Sequence, residues 1–158
     1  MIPYNAEKVC KDIEQTSKST AIYVGCDSRR FKHGGKWYAV YTTVVVIHID
    51  ECSGCRIYGF KEVLHDFGQV KERMLNEVNF AVKVAYEIAD SVGERKFEVH
   101  LDVNPDPKHK SNLAVKEAIG YVMGMGFTPR IKPDAPIAST AADFFGKSRV
   151  SVPKNLIV

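Results

Sequence analysis

Four acidic residues keep company that ordinary surface acids do not. Asp27 follows the run Ala21-Ile22-Tyr23-Val24-Gly25-Cys26, which reads as a buried strand, and Arg29 and Arg30 come directly after it. Asp102 lies near the end of a second such run, "FEVHLDV". Glu77 falls three or four residues from Met74 and Ala81 and seven from Val70 and Val84. That spacing places it on the apolar stripe of a helix whose polar face is Glu72, Asn76, Asn79, Lys83, Glu87 and Asp90. Asp143 follows Ala141-Ala142 and precedes Phe144-Phe145. A carboxylate among apolar groups carries a desolvation cost unless a cation offsets it, so the chemistry these residues suggest is cation binding. The bland alternatives are a helix-edge glutamate whose stem lets its head reach water, and an ordinary exposed helical aspartate.

The elements that would position these acids can be read from pattern and punctuation. Asn5 is expected to cap a short helix carrying Val9 and Ile13. A strand over 21–28 leads into the basic turn "RRFKHGG", where Gly34-Gly35 supply the positive φ angles of a hairpin. A long β-branched and aromatic strand over 36–50 turns at "ECSGC" into a third strand near 56–62. A helix over about 69–91 is expected next, with Asp66 and Gln69 as its capping box and Gly93 as its stop. A fourth strand over 97–103, a loop "NPDPKHKS", a helix from Ser111 to about Gly124, a fifth strand over 127–132 and a helix from Pro136 to Gly146 complete the order. Three hairpin-linked strands followed by α/β crossovers imply a five-stranded mixed α/β sheet flanked by helices. The expected division is an N-terminal helix (1–20), one domain (21–149) and a C-terminal tail (150–158). In such a sheet the first strand is central and parallel to the fourth. Asp27 and Asp102 then emerge at the same edge, where open α/β sheets bind ligands.

This order, with an acid closing the first strand, resembles the ribonuclease H-like fold. The four acids match the strand, helix, strand, helix placement of the acids in ribonuclease H-like nucleases. More narrowly, "GCDS", "ERMLNEV", "HLDVNP", "GMGF", "IKPDAPIAS" and "AADFF" are similar to the YkuK-type predicted nuclease family, over nearly the whole chain after Tyr4. The resemblance implies a metal-dependent nuclease that hydrolyses phosphodiester bonds by a two-metal-ion mechanism. Two Mg2+ or Mn2+ ions about 3.5–4 Å apart would neutralise carboxylates that otherwise repel one another. Asp27 would bridge both ions, with Glu77 and Asp102 on one and Asp143 on the other. A catalytically inactive nucleic-acid-binding module on the same fold is the alternative.

Composition and charge are compatible with this. The chain has 158 residues, 45% hydrophobic and 26% charged, with a net charge of +3. That sum is small, but the cations cluster: Arg29, Arg30, Lys32 and Lys36 follow the first acid, Lys108 and Lys110 follow the third, and Lys132 precedes the last helix. These are the candidate phosphate contacts, and His109 is the candidate proton shuttle. No apolar run reaches membrane-spanning length and no signal-like segment opens the chain, so a cytoplasmic setting is expected. Cys52-Ser53-Gly54-Cys55 has zinc-knuckle spacing but lacks a second ligand pair, which favours a plain turn. Neither Gly34-Gly35 nor Gly124 and Gly126 form a phosphate loop, which disfavours a phosphotransferase. Arg29, two residues after Asp27, removes the Asp-x-Glu pair of proofreading exonucleases. His100, alternating with Asp102, reads as packed or hydrogen-bonded.

Overall fold

The computed structural model of the chain describes residues 1–51, 53–103, 106, 108, 115–134, 136–148 and 150–157. Apolar and β-branched runs form one six-stranded mixed sheet in the order β1-β4-β3-β2-β5-β6. Its strands are β1 (Ile2–Pro3), β2 (Ala21–His33), β3 (Lys36–His48), β4 (Cys55–His65), β5 (Lys96–Leu101) and β6 (Thr128–Ile131). β2, β3 and β4 form an antiparallel meander, whereas β5 runs parallel to β2 and β6 parallel to β5. The first long strand is therefore interior and parallel to the next crossover strand, as expected. The sixth strand, β1, is new: two residues pair with Tyr58 and Gly59 at the far edge, too few to leave a sequence pattern.

A second difference bears directly on the site. The basic stretch read as a turn is mostly strand, since β2 continues to His33 and only Gly34 and Gly35 turn, at φ 56° and 78°. Alternation of Arg30 and Lys32 with Phe31 and His33 still fits a pleated ribbon, and Asp27↔Thr42 through His33↔Lys36 remain paired. What ends near Asp27 is not β2 but its partnership with β5, whose last pair is Gly25↔His100. The register carried two residues further sets Asp27 beside Asp102.

Side chains alternate between two covered faces. Ile22, Val24 and Cys26 join Val9 and Ile13 of α1 (Ala6–Glu14) and Val78, Ala81 and Ala85 of α2 (Val70–Val92) in the larger core. Helix α3 (Val115–Gly124) adds Val115, Ala118 and Val122 to the same layer. Ala21, Tyr23, Val44 and Val46 meet Ala138 and Ala142 of α4 (Pro136–Gly146) on the opposite face. Asn5 caps α1 as expected, its side chain accepting from the Lys8 N–H at 3.0 Å. The expected capping box of α2 is not formed. Gln69 makes no side-chain cap bond, and the Asp66 carboxylate instead pairs with Arg30 and Arg73. Gly93 ends α2 with φ 58°. The expected Ser111 cap lies outside the described residues. Beyond α4, Val152 is buried with Tyr38, Val40 and Val63, and a single 3-10 turn covers Lys154–Leu156.

The seat of α4 depends on one glycine. A Cβ at Gly25 would lie 2.8 Å from the Ala138 Cβ and 3.2 Å from the Ala138 carbonyl carbon. Gly25→Ala is therefore expected to push α4 off β2 and cost about 1–3 kcal/mol, as overpacking does. A thermal melt checks this, and an unchanged midpoint would show that α4 is free to shift.

Candidate active site

Three of the four acids share one cleft. Asp27 from β2, Asp102 just after β5 and Asp143 from α4 line an open cavity of about 490 Å³ with Ser28, Lys132 and Thr140. Burial raises the Asp27 carboxyl first, and the Asp102 and Asp143 charges raise it further, to about 6. The Ser28 backbone N–H and the Lys132 ammonium pull the other way. Asp102 is held by Lys132 in an ion pair. That contact, and the charges of Asp102, Asp27 and Asp143, raise the Lys132 pKa above its ordinary value despite partial burial. Asp143 is more open than its apolar neighbours suggest: it is 59% exposed and pairs with Lys147 one turn on, at 3.1 Å.

Glu77 approaches from the other side of the sheet. Its carboxyl accepts a hydrogen bond from the Ser28 hydroxyl, and Ser28 itself lines the cleft. Glu77 and Asp102 also line a small adjoining pocket with Cys26, Met74, Val78 and His100. Burial pushes the Glu77 carboxyl up to about 8; Ser28 opposes the rise, whereas Asp27 and Asp102 add to it. The apolar stripe on which Glu77 was placed is real, and Ser28 and Asp102 connect it to the other acids.

Raised carboxylate pKa values have a consequence for the metal-free protein. In the unfolded chain both acids ionise near pH 4. Folding therefore favours their protonated forms, and this contribution is fully present below that pH. It is lost as pH rises through about 6 for Asp27 and about 8 for Glu77. Melting without divalent metal is expected to fall by a few degrees between about pH 5 and about pH 9. A midpoint that is flat or rises over that range would contradict the placement of these two carboxylates.

His100 is buried and hydrogen-bonded, as its alternation with Asp102 suggests, and it belongs to a chain with Glu98 and Arg130 that fixes the start of α4. The Ala138 N–H donates to His100 Nδ1 at 3.3 Å, which puts the ring proton on Nε2, facing Glu98 Oε1 at 3.4 Å. Arg130 Nε completes the chain on Glu98 Oε2 at 2.6 Å. Burial lowers the His100 pKa, so the ring stays neutral and keeps its acceptor nitrogen toward the helix. Burial of Glu98 opposes its ionisation, but Arg130 and His100 outweigh it and hold the carboxyl below the usual range. The signal was legible: Glu98, His100 and Asp102 alternate along one face of "FEVHLDV".

The basic residues divide by what already holds them. Arg29 donates to the Gly146 carbonyl at 3.2 Å and the Ser148 carbonyl at 3.5 Å, closing the C-terminal end of α4. Arg30 pairs with Asp66 and lies 4.5 Å above the Trp37 ring. Lys32 stands 6.0 Å from the same ring. Lys36 and Lys108 are exposed, and Lys132 is paired with Asp102. Lys110 and His109 lie outside the described residues, as do Cys52 and Arg149. Lys61 was not foreseen. It continues the cross-strand row Asp27, Thr42, Lys61 and meets the Ser148 hydroxyl.

Four carboxylates, three of them lining one cleft and the fourth, Glu77, sharing an adjoining pocket with Asp102, offer hard oxygen donors that suit Mg2+ or Mn2+ rather than a soft metal. Among the described residues, no three His, Cys, Asp or Glu side chains are gathered closely enough to hold one ion. The cation now beside Asp102 is Lys132.

The chain belongs to the ribonuclease H-like family, whose family model matches residues 6–147. A search of curated proteins finds no match, and a search of solved structures finds none. The family points to a nuclease-type or nucleic-acid-binding function. No described helix is long and apolar enough to cross a membrane.

Proposed function

We propose that the protein is a metal-dependent nuclease that hydrolyses nucleic-acid phosphodiester bonds by a two-metal-ion mechanism. One observation carries this reading: Asp27, Asp102 and Asp143 come from separate elements yet line one cleft, with Glu77 in an adjoining pocket beside Asp102, and burial first and neighbouring acids second raise the Asp27 and Glu77 carboxyls. Carboxylates buried near one another are costly to ionise in a fold unless a cation relieves them. Mg2+ or Mn2+ bound there would lower the pKa of an attacking water and neutralise charge developing on the scissile phosphate. Asp27 would be the ligand shared by the ions, with Glu77 and Asp102 holding one and Asp143 the other. Ser28 orients the Glu77 carboxyl. Lys132 balances Asp102 in the metal-free protein, and once Asp102 is engaged its ammonium is free to hold a phosphate beside the cut bond. Lys32, Lys36, Lys108 and Lys110 would contact the nucleic-acid backbone. Arg29 and Arg30 would reach a phosphate only by leaving the Gly146 and Ser148 carbonyls and Asp66, and His109 is a candidate proton shuttle.

A nucleic-acid-binding module without catalysis is the second reading. The Lys132–Asp102 pair favours it, because an internal cation already answers one acid. A panel of single strands, duplexes, RNA–DNA hybrids and four-way junctions, assayed with Mg2+, Mn2+ or EDTA, separates the two. Cleavage of at least one substrate that EDTA stops is the expected result. Tight binding with no product under any condition would establish the binding module.

A further inference from the structure

The β2–β3 hairpin continues past the acid cleft, and its charge is unusual. The chain has 22 Lys and Arg against 19 Asp and Glu. Four of those cations and none of those acids fall in residues 29–38, which leaves 18 cations against 19 acids elsewhere. Asp66 pairs with Arg30 and so is set against this ribbon; with it counted there, the remainder has 18 cations against 18 acids. The positive balance of the protein therefore still resides in the ribbon, a surface complementary to a polyanion.

The same ribbon carries the only tryptophan of the chain. Trp37 is 44% exposed although large aromatic residues usually seek burial. It sits just past the last β3–β4 pair, Tyr38↔His65, and opposite Lys32. Its position is nonetheless fixed. The Asp66 N–H donates to the Trp37 carbonyl at 3.0 Å, and the Arg30 guanidinium lies over the indole while pairing with that same Asp66. An aromatic ring that is partly exposed, backed by the Arg30 guanidinium and close to the Lys32 ammonium suits stacking on a nucleobase, because little conformational freedom is left to lose.

We propose that this hairpin is a second nucleic-acid contact, in which Trp37 stacks on an unpaired base and Lys32 and Lys36 take flanking phosphates. The proposal rests on the nucleic-acid reading above and narrows it to substrates with a single-stranded segment. Lys32 and Trp37 lie five residues along β2 from Asp27, about 17 Å at the rise of an extended strand. A strand held at both places must extend well beyond the cut bond, so a dinucleotide cannot reach both.

The single tryptophan makes the test direct. The 158-residue chain in EDTA, so that no cleavage intervenes, is titrated with a labelled single-stranded oligodeoxynucleotide and with the same strand in a blunt duplex. Label anisotropy and indole emission are followed together. The single strand is expected to change the indole emission in step with anisotropy, and the duplex to change it much less. Trp37→Ala should weaken single-strand binding about tenfold, the effect of losing one stacked base, while Trp37→Phe retains most of it. Binding with unchanged emission, or a Trp37→Ala protein that melts normally and binds like wild type, would overturn the hairpin contact and leave the acid cleft untouched. An equal emission change with single strand and duplex would overturn the unpaired base. Absence of binding in both readouts would overturn this contact and the nucleic-acid reading together.

Discussion

Asp27→Asn is expected to lower cleavage by about a thousandfold or more, because on the proposed reading Asp27 is the ligand both ions would share and its loss would remove several kcal/mol of transition-state stabilisation. The substitution keeps the side-chain shape and removes the charge that Asp102 and Asp143 now oppose. The metal-free variant should therefore melt at or above the wild-type midpoint near pH 7, where Asp27, with its pKa of about 6, is largely ionised in the wild type. Loss of activity with retained or increased stability is the signature of carboxylates assembled for cations. Loss of both would instead mean that Asp27 holds the sheet together. Cleavage rates and thermal melts on the same preparations distinguish the two outcomes.

Lys132→Met should have opposite effects on two ligands. Its ammonium now answers Asp102 and lowers the pKa of Asp27. Removing the charge while keeping most of the stem leaves the acids with less compensation. Because Lys132 is about half exposed, the stability cost in the absence of metal should be modest, about 1 kcal/mol. Mn2+ affinity should rise about tenfold, since the ion no longer displaces a resident cation, a difference of about 1.4 kcal/mol. Nucleic-acid affinity should fall, with the salt slope reduced by about one for the lost phosphate contact. Mn2+ titration by thermal shift and oligonucleotide binding at several salt concentrations measure both arms. If both affinities fall, Lys132 supports the metal site rather than competing for it.

The acids were the most legible part of the molecule, for a physical reason. Alternation in "AIYVGCDS" and "FEVHLDV" and the helical stripe containing Glu77 each state which face a residue takes, and the parallel β2–β5 register then places Asp27 beside Asp102. Contacts that join distant segments left no such trace. Asp66 reads locally as a cap, but Arg30, 36 residues away, takes its carboxylate. Arg29 reads as a phosphate grip, but the carbonyls of Gly146 and Ser148 lie within its reach. The extension of β2 to His33 was obscured because cations usually mark a turn, although Arg30 and Lys32 alternate as strand residues do. Strand β1 is too short to carry any period.

The central claim is that the four acids exist to hold divalent cations, and the most direct measurement is the melting midpoint of wild type and Asp27→Asn with and without Mn2+. Binding to the folded form alone raises the midpoint as ligand exceeds its dissociation constant. Wild type should gain several degrees with Mn2+, and Asp27→Asn little or nothing. An equal gain in both proteins, or none in wild type, would contradict the claim.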